Sequence, residues 1–208
     1  MCFLVVSADM AVPRPKKKTP PRDRDVDLLD ATVRLLSRGG LAAVTHRAVA
    51  EEAGVSLGSV TYRHLTIDAL LEAALLRYCM LEIEQLEALA KLLSAQTFDA
   101  DAWAGSFARI IAEGTKHPAA LAGYELMLDA ARRPRLRKSM RETNDAYRRV
   151  AQLALAAAGS REPSKHAHVL VAAITGLQLH QLSEPEPNFP RRLEQALREV
   201  VTGLVACE

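Results

Sequence analysis

The 208-residue sequence predicts an all-α protein of about nine helices. Three observations carry that expectation. Alanine and leucine dominate while aromatic residues make up only 4%, a balance that favours helices over sheets. Apolar residues recur at three- and four-residue spacing, and no stretch alternates as a half-buried strand does. Gly39, Gly54 and Gly159, with Pro118, Pro134 and Pro163, fall between the periodic segments, where helices stop and start.

Residues 13–22, "PRPKKKTPPR", form a basic, proline-broken arm; residues 1–21 are expected to be a disordered tail. The first helix spans about Arg24 to Arg38: Val26, Leu29, Val33 and Leu36 share a face, and Asp25 and Asp27 suit its positive end. Gly39-Gly40 ends it. Thr45 caps a short second helix that runs to about Ala53. Gly54-Val55-Ser56 is a turn, with Gly54 suited to a left-handed residue, and Ser56 caps a third helix from Leu57 to about His64.

Thr66 caps a long fourth helix, Ile67 to about Ser94, with Leu70, Ala74, Leu81, Leu89 and Leu93 as its apolar stripe. Further helices are expected over about 101–116, from Pro118 to Arg133, from Pro134 to Ala158, from Pro163 to Leu182, and over 191–205. "SEPEPNFP", residues 183–190, links the last two. No internal repeat is visible.

Composition narrows the function classes. Hydrophobic residues make up 49% of the chain, enough for a sizeable core without disulfides or metals. No uninterrupted apolar run reaches the roughly 18 residues of a membrane span. Cys2, Cys79 and Cys207 are far apart and form no CxxC pair, as expected of a reducing, cytoplasmic protein without a disulfide framework. The opening "MCFLVVSADM" has too short an apolar run and no cleavage site for a signal peptide, and Met10 is the expected start. Net charge is +2, but residues 1–64 hold ten Lys/Arg against seven Asp/Glu. That excess suits an arm that lies along nucleic-acid phosphates.

Two short helices joined by a glycine-containing turn read as a helix-turn-helix, here within a domain over residues 22–66. Val49, Ala50, Ala53, Val55 and Val60 hold the pair against the first helix. The free face of the third helix then carries Ser56, Gly58, Ser59, Thr61, Tyr62 and Arg63. Small residues let a helix approach the major groove, hydroxyls bond phosphates, and an arginine neutralises a phosphate or reads a guanine edge. Thr45, His46 and Arg47 stand at a helix start, where unbonded N–H groups suit a phosphate.

These residues resemble the TetR (tetracycline-repressor-like) family of bacterial transcription regulators. The likeness is carried by "GLAAVTHRAVAEEAGVSLGSVTYRHLTIDALLEAAL", Gly40 to Leu75: a Thr before the second helix, an Ala-Gly-Val-Ser turn, a Gly-Ser recognition helix ending in Tyr, and a capped helix start. The resemblance implies DNA contacts at Thr45, His46, Arg47, Ser59, Thr61, Tyr62 and Arg63. Two positions depart from the pattern: His64 stands where the family usually has Phe, and Ile67 where it often has a phosphate-binding Lys.

The remaining two thirds, residues 67–208, resemble the family's effector and dimerisation domain, with "YELMLDAARRPRLR", Tyr124 to Arg137, as the most characteristic stretch. The resemblance implies a homodimer through the last two helices and a ligand cavity among the middle ones. Apolar and small residues at Val169, Ala172, Ala173, Gly176, Leu193, Leu197, Val200 and Leu204 are the expected interface, in a four-helix bundle made by two subunits. Trp103, Phe107, Tyr124, Met127, Leu128, Asn144, Tyr147 and Gln178 are the expected cavity residues, apolar with a few polar groups.

The expected function is therefore a repressor released from a palindromic double-stranded operator by a small, largely apolar ligand. No cofactor is expected. His166 and His168 diverge on a helix, and no HExxH motif, nucleophile elbow or phosphate loop occurs, so an enzyme is not expected. The alternatives are a metal sensor using His117, His166, His168 or His180 with a cysteine, and an effector-independent DNA-binding regulator.

Overall fold

The computed structural model describes residues 24–94, 103–116 and 120–207, apart from the side chains of Arg24 and Leu126. The described elements are all helical. They are α1 (Arg24–Gly39), α2 (His46–Ala53), α3 (Leu57–Arg63), α4 (Ile67–Ser94), α5 (Trp103–Lys116), α6 (Ala120–Arg132), α7 (Arg137–Ala157), α8 (Pro163–Ser183) and α9 (Phe189–Ala206). Single 3-10 turns at Leu41–Ala43 and Pro134–Leu136 precede α2 and α7. The basic arm and the Pro118 helix start lie outside the described residues.

The chain forms two compact units that are not continuous in sequence. One comprises α1 to α3, α4 as far as Met80, α6 and the turn after it. The other comprises α4 from Leu81, α5, most of α7, α8 and α9.

In the first unit the expected caps form. The Thr45 hydroxyl accepts from the Ala48 amide at 3.1 Å, the Ser56 hydroxyl from Ser59 at 3.2 Å, and the Thr66 hydroxyl from Ala69 at 3.1 Å. Gly54 has φ 67°, and the Val55 amide donates back to the Ala50 carbonyl at 2.9 Å, closing α2 as a left-handed C-terminal cap does. Leu28, Leu36, Val49, Val60 and Leu70 are fully buried. Glu52 on α2 accepts from Arg34, at 2.7 Å, and from Arg38, both on α1. Arg77 on α4 grips Asp30 of α1 through two nitrogens, at 2.7 and 3.2 Å.

α6 joins this unit through Arg133. Its guanidinium lies 2.9 Å from Asp68, in the first turn of α4, and 2.6 Å from the buried Asp129. Burial pulls the Arg133 pKa down, but hydrogen bonding to Asp68 and Asp129 outweighs it and holds the group above its ordinary value.

The second unit is built on α5, whose most extensive packing is against α9. Leu86, Ile111, Leu155, Leu170, Leu193 and Leu197 are its most deeply buried apolar side chains. The inward stripe of α4 here is Glu82, Leu86, Leu89 and Leu93. The expected stripe included Leu81, which is 37% exposed. Leu70, Ala74, Leu89 and Leu93 of that stripe are buried, and only at Leu81 does the next residue, the carboxyl-bearing Glu82, take the inward place.

Candidate functional site

α2 and α3 pack through Val49, Ala50 and Val60, all buried, and that burial fixes which faces remain outside. Thr45, Arg47, Ser56, Gly58, Tyr62 and Arg63 are exposed, while Ser59 and Thr61 are half-buried. Tyr62 is 90% exposed, an unusual position for an aromatic ring without a partner surface. Leu57 and Leu65, which the sequence did not single out, are also exposed, at 49% and 86%. They extend the same apolar and hydroxyl surface to both ends of α3.

Several of these side chains already have bonds within the protein. Ser56 and Ser59 hydroxyls lie 2.9 Å apart, and the Thr61 hydroxyl donates to the Leu57 and Gly58 carbonyls at 3.2 and 3.3 Å. His46 places Nε2 2.8 Å from the His64 carbonyl, so this half-buried ring ties the start of α2 to the end of α3. Arg63 lies 3.4 Å from Asp25 on α1. His64 Nε2 lies 3.3 Å from the same carboxylate, outside hydrogen-bond geometry. Its side chain is 12% exposed, so an imidazole takes the inward place of the expected Phe. Ile67, at the family's lysine position, is half-buried and offers a phosphate no charge.

In the second unit, α5, α7, α8 and α9 enclose a cavity of about 30 Å³. Trp103, Phe107 and Tyr147 line it, together with Ile111, Val150, Ala151, Ala154, Leu170, Val171, Ile174 and Leu197. The Trp103 and Phe107 rings meet edge to face, with centroids 6.0 Å apart. This volume is close to that of one liquid water, so a drug-sized molecule enters only if the helices part. The Tyr147 hydroxyl donates to the buried Glu82. Gln178 is buried, and its amide nitrogen lies 3.4 Å from the Ile111 carbonyl.

Gln178 is not part of the lining, and the other expected cavity residues are elsewhere too. Tyr124, Met127 and Leu128 sit on α6, in the first unit, and Leu128 is 60% exposed. Asn144 is half-buried and outside the lining. Glu82 escaped the sequence reading, although a carboxylate at leucine spacing was a readable signal.

The expected subunit interface needs a correction. Leu193 and Leu197 are 0% and 2% exposed, packed inside their own unit, and Leu197 lines the cavity. They have no surface left for a partner. α9 carries two apolar stripes, and the inner one is Leu193, Leu197 and Val201. Val200 and Leu204 remain half-exposed with Ala196 on the outer stripe. On α8, Val169 and Ala172 are exposed and Ala173 and Gly176 half-buried. Among the described residues no cluster of His, Cys, Asp and Glu gathers to hold a metal ion, and no helix is long and apolar enough to cross a membrane.

Residues 28–74 match the model for bacterial regulatory proteins of the tetR family. Residues 98–206 match the tetracyclin repressor-like C-terminal domain. A TetR-family member from Streptomyces coelicolor A3 is 30% identical over 86% of this chain and 98% of its own, with a TM-score of 0.63. The multidrug binding protein EbrR, solved with ethidium, is 31% identical over 87% of this chain and 99% of its own, with a TM-score of 0.61. A transcriptional regulator from Rhodococcus sp. Rha1, 24% identical over 87% of this chain and 95% of its own, shares the fold with a TM-score of 0.68. No curated protein sequence matches.

Proposed function

Because the chain belongs to the tetracycline-repressor-like (TetR) family of DNA-binding transcriptional regulators, we propose that it is a homodimeric repressor released from a palindromic operator by a small, largely apolar ligand. The observation that carries this reading is the outer face of α3. It combines a Gly, hydroxyls, an almost fully exposed Tyr62 and Arg63 beside a buried anchor at Val60. A helix held from one side with small polar groups on the other is what a major groove accepts. Thr45 and Arg47 flank it at the α2 start, and Thr45, Arg47, Ser56, Gly58, Ser59, Thr61, Tyr62 and Arg63 are the proposed contacts. His46 orients the pair through the His64 carbonyl and stands at the α2 start, where a phosphate would bind.

The ligand half of the proposal rests on the enclosed apolar cavity and on EbrR, which is solved with ethidium and with proflavin. α4 carries the signal. Its first turn follows the recognition helix directly in the chain, and its Glu82 bonds the cavity residue Tyr147. At 1.5 Å per residue such a helix is roughly 40 Å long, so a small tilt at one end becomes a displacement at the other. Half-sites one DNA turn apart, about 34 Å, stop fitting both recognition helices once their spacing changes by a few ångströms.

Selection from a random duplex library at two salt concentrations tests the DNA half. Enrichment of a pseudo-palindrome that survives the higher salt is expected. R63A should lower affinity for it and reduce the slope of log K against log salt by about one. Binding that enriches no sequence and vanishes with salt would overturn the reading.

A further inference from the structure

We propose that the turn between α6 and α7 is a second DNA contact, which grips backbone phosphates beside the groove that receives α3; this rests on the DNA-binding reading. Residues 130–139 hold five Lys/Arg and no Asp or Glu, in a chain whose net charge is only +2. Arg132, Arg135, Arg137 and Lys138 are exposed. Among the described residues Arg132 and Arg135 make no ion pair, and Arg137 reaches the Ala131 carbonyl alone, at 3.5 Å.

Helix stability does not account for all of this charge. Arg132 closes α6, where a cation suits the negative end of the helix. Arg137 and Lys138 open α7, whose N-terminal end is already positive, and no acidic residue stands in its first turn. Two cations there oppose the helix dipole, and an anion lying across the turn offsets both.

Position supplies the partner. The turn belongs to the same compact unit as α1 to α3. Arg133 fixes it there, 2.9 Å from Asp68 in the first turn of α4, which starts just after α3 ends. Asp25, in the first turn of α1, lies 3.4 Å from Arg63 at the end of α3. The basic turn therefore stands at the end of the unit where α3 finishes. The first turn of α4 brings no cation of its own, since Ile67 is apolar and Asp68 acidic. Arg133 is engaged with Asp68 and Asp129, the two carboxylates that would repel a phosphate, and leaves its neighbours to meet it.

Leu136, the large apolar side chain of the turn, is 1% exposed. The turn offers charge without the apolar core that a protein partner needs, and charge alone holds a phosphate. Such contacts carry no sequence information, so the turn adds affinity and leaves base reading to α3.

The purified full chain, a duplex carrying the pseudo-palindrome recovered by library selection and a random duplex of equal length test this. R132Q/R135Q/R137Q should make the slope of log K against log salt shallower by about two to three for each subunit bound. Affinity for both duplexes should fall about tenfold or more at about 100 mM salt, leaving their ratio unchanged. R132K/R135K/R137K should keep the wild-type slope, because a phosphate needs the charge rather than the guanidinium fork. K91Q/R109Q/R191Q removes the same charge from exposed positions of the other unit and should move the slope by less than about one.

A wild-type slope in the glutamine variant would overturn the assignment. So would an equal loss in the control, which would make it an effect of net charge, or loss of slope in the lysine variant, which would make the arginines structural. Anionic phospholipid vesicles are the further probe: wild-type binding lost in the glutamine variant, with the DNA slope unchanged, would give the turn to a membrane surface instead. A wild-type protein that enriches no sequence removes the DNA-binding reading itself. An enriched palindrome with an unchanged slope removes only the second contact.

Discussion

Gly54 and Gly58 stand four residues apart with opposite requirements. Gly54 has φ 67°, where any other L-residue is strained, and G54A should cost roughly 1 kcal/mol of stability although a Cβ would meet nothing within 4 Å. Gly58 is helical, and a Cβ would touch only the Ser56 hydroxyl, at 4.0 Å. G58A should therefore stabilise the protein by roughly 0.5–1 kcal/mol. The same methyl group would stand on the face offered to DNA and should weaken operator binding about tenfold. Urea unfolding and an operator titration on the two variants check both signs, and unchanged operator affinity in G58A would turn the α3 face away from the groove. Both glycines were legible as helix punctuation and as a close-approach residue. Glu82 was passed over because Leu81, the apolar residue beside it, was assigned the inward position, although the spacing from Leu86, Leu89 and Leu93 pointed to Glu82.

At the scale of elements, α1 and α2 are held by one carboxylate shared between two arginines. Hydrogen bonds from Arg34, and then Arg38, hold the Glu52 pKa below its ordinary value of 4.5. A carboxyl group depressed on folding stabilises the fold above its unfolded pKa, and that contribution disappears as pH falls through the folded value. Glu52 is solvent-accessible, so the effect is small and screened by salt. E52Q should be slightly less stable than wild type at pH 7, and the difference should shrink below about pH 4. Urea midpoints at the two pH values measure it; a gap that widens on acidification would contradict the assignment. The same scale explains the α9 correction. A helix with apolar residues at 193, 196, 197, 200, 201 and 204 has two usable stripes, and only the presence of α5 selects Leu193, Leu197 and Val201 as the inner one.

For the whole molecule, the surface left on α8 and α9 is small-residue and apolar: Val169, Ala172, Ala173 and Gly176 with Val200 and Leu204. It is the proposed contact between two copies. A172E should place a charge on that surface and shift the protein towards monomer in sedimentation, with its unfolding midpoint at fixed monomer concentration lowered only through lost association. L193A should instead cost about 2–5 kcal/mol within the subunit, because it empties a fully buried site. An A172E protein that remains dimeric would move the interface elsewhere. Operator binding should fall with dimerisation, since two recognition helices must dock together.

The sequence by itself determined the helices, their caps at Thr45, Ser56 and Thr66, the left-handed turn at Gly54, and the residues exposed on α3. All of these are short-range: a cap needs a hydroxyl three residues away, and a seven-residue helix with one buried valine has only one face to offer. Tertiary structure alone decided which stripe of α9 turns inward and that Glu82 rather than Leu81 does so on α4. It brought Arg133 to Asp68 across 65 residues and seated the Tyr147 hydroxyl on Glu82, also 65 residues away. Those outcomes depend on neighbours distant in the chain, and burial is settled by the partner that arrives rather than by the periodicity that invites it.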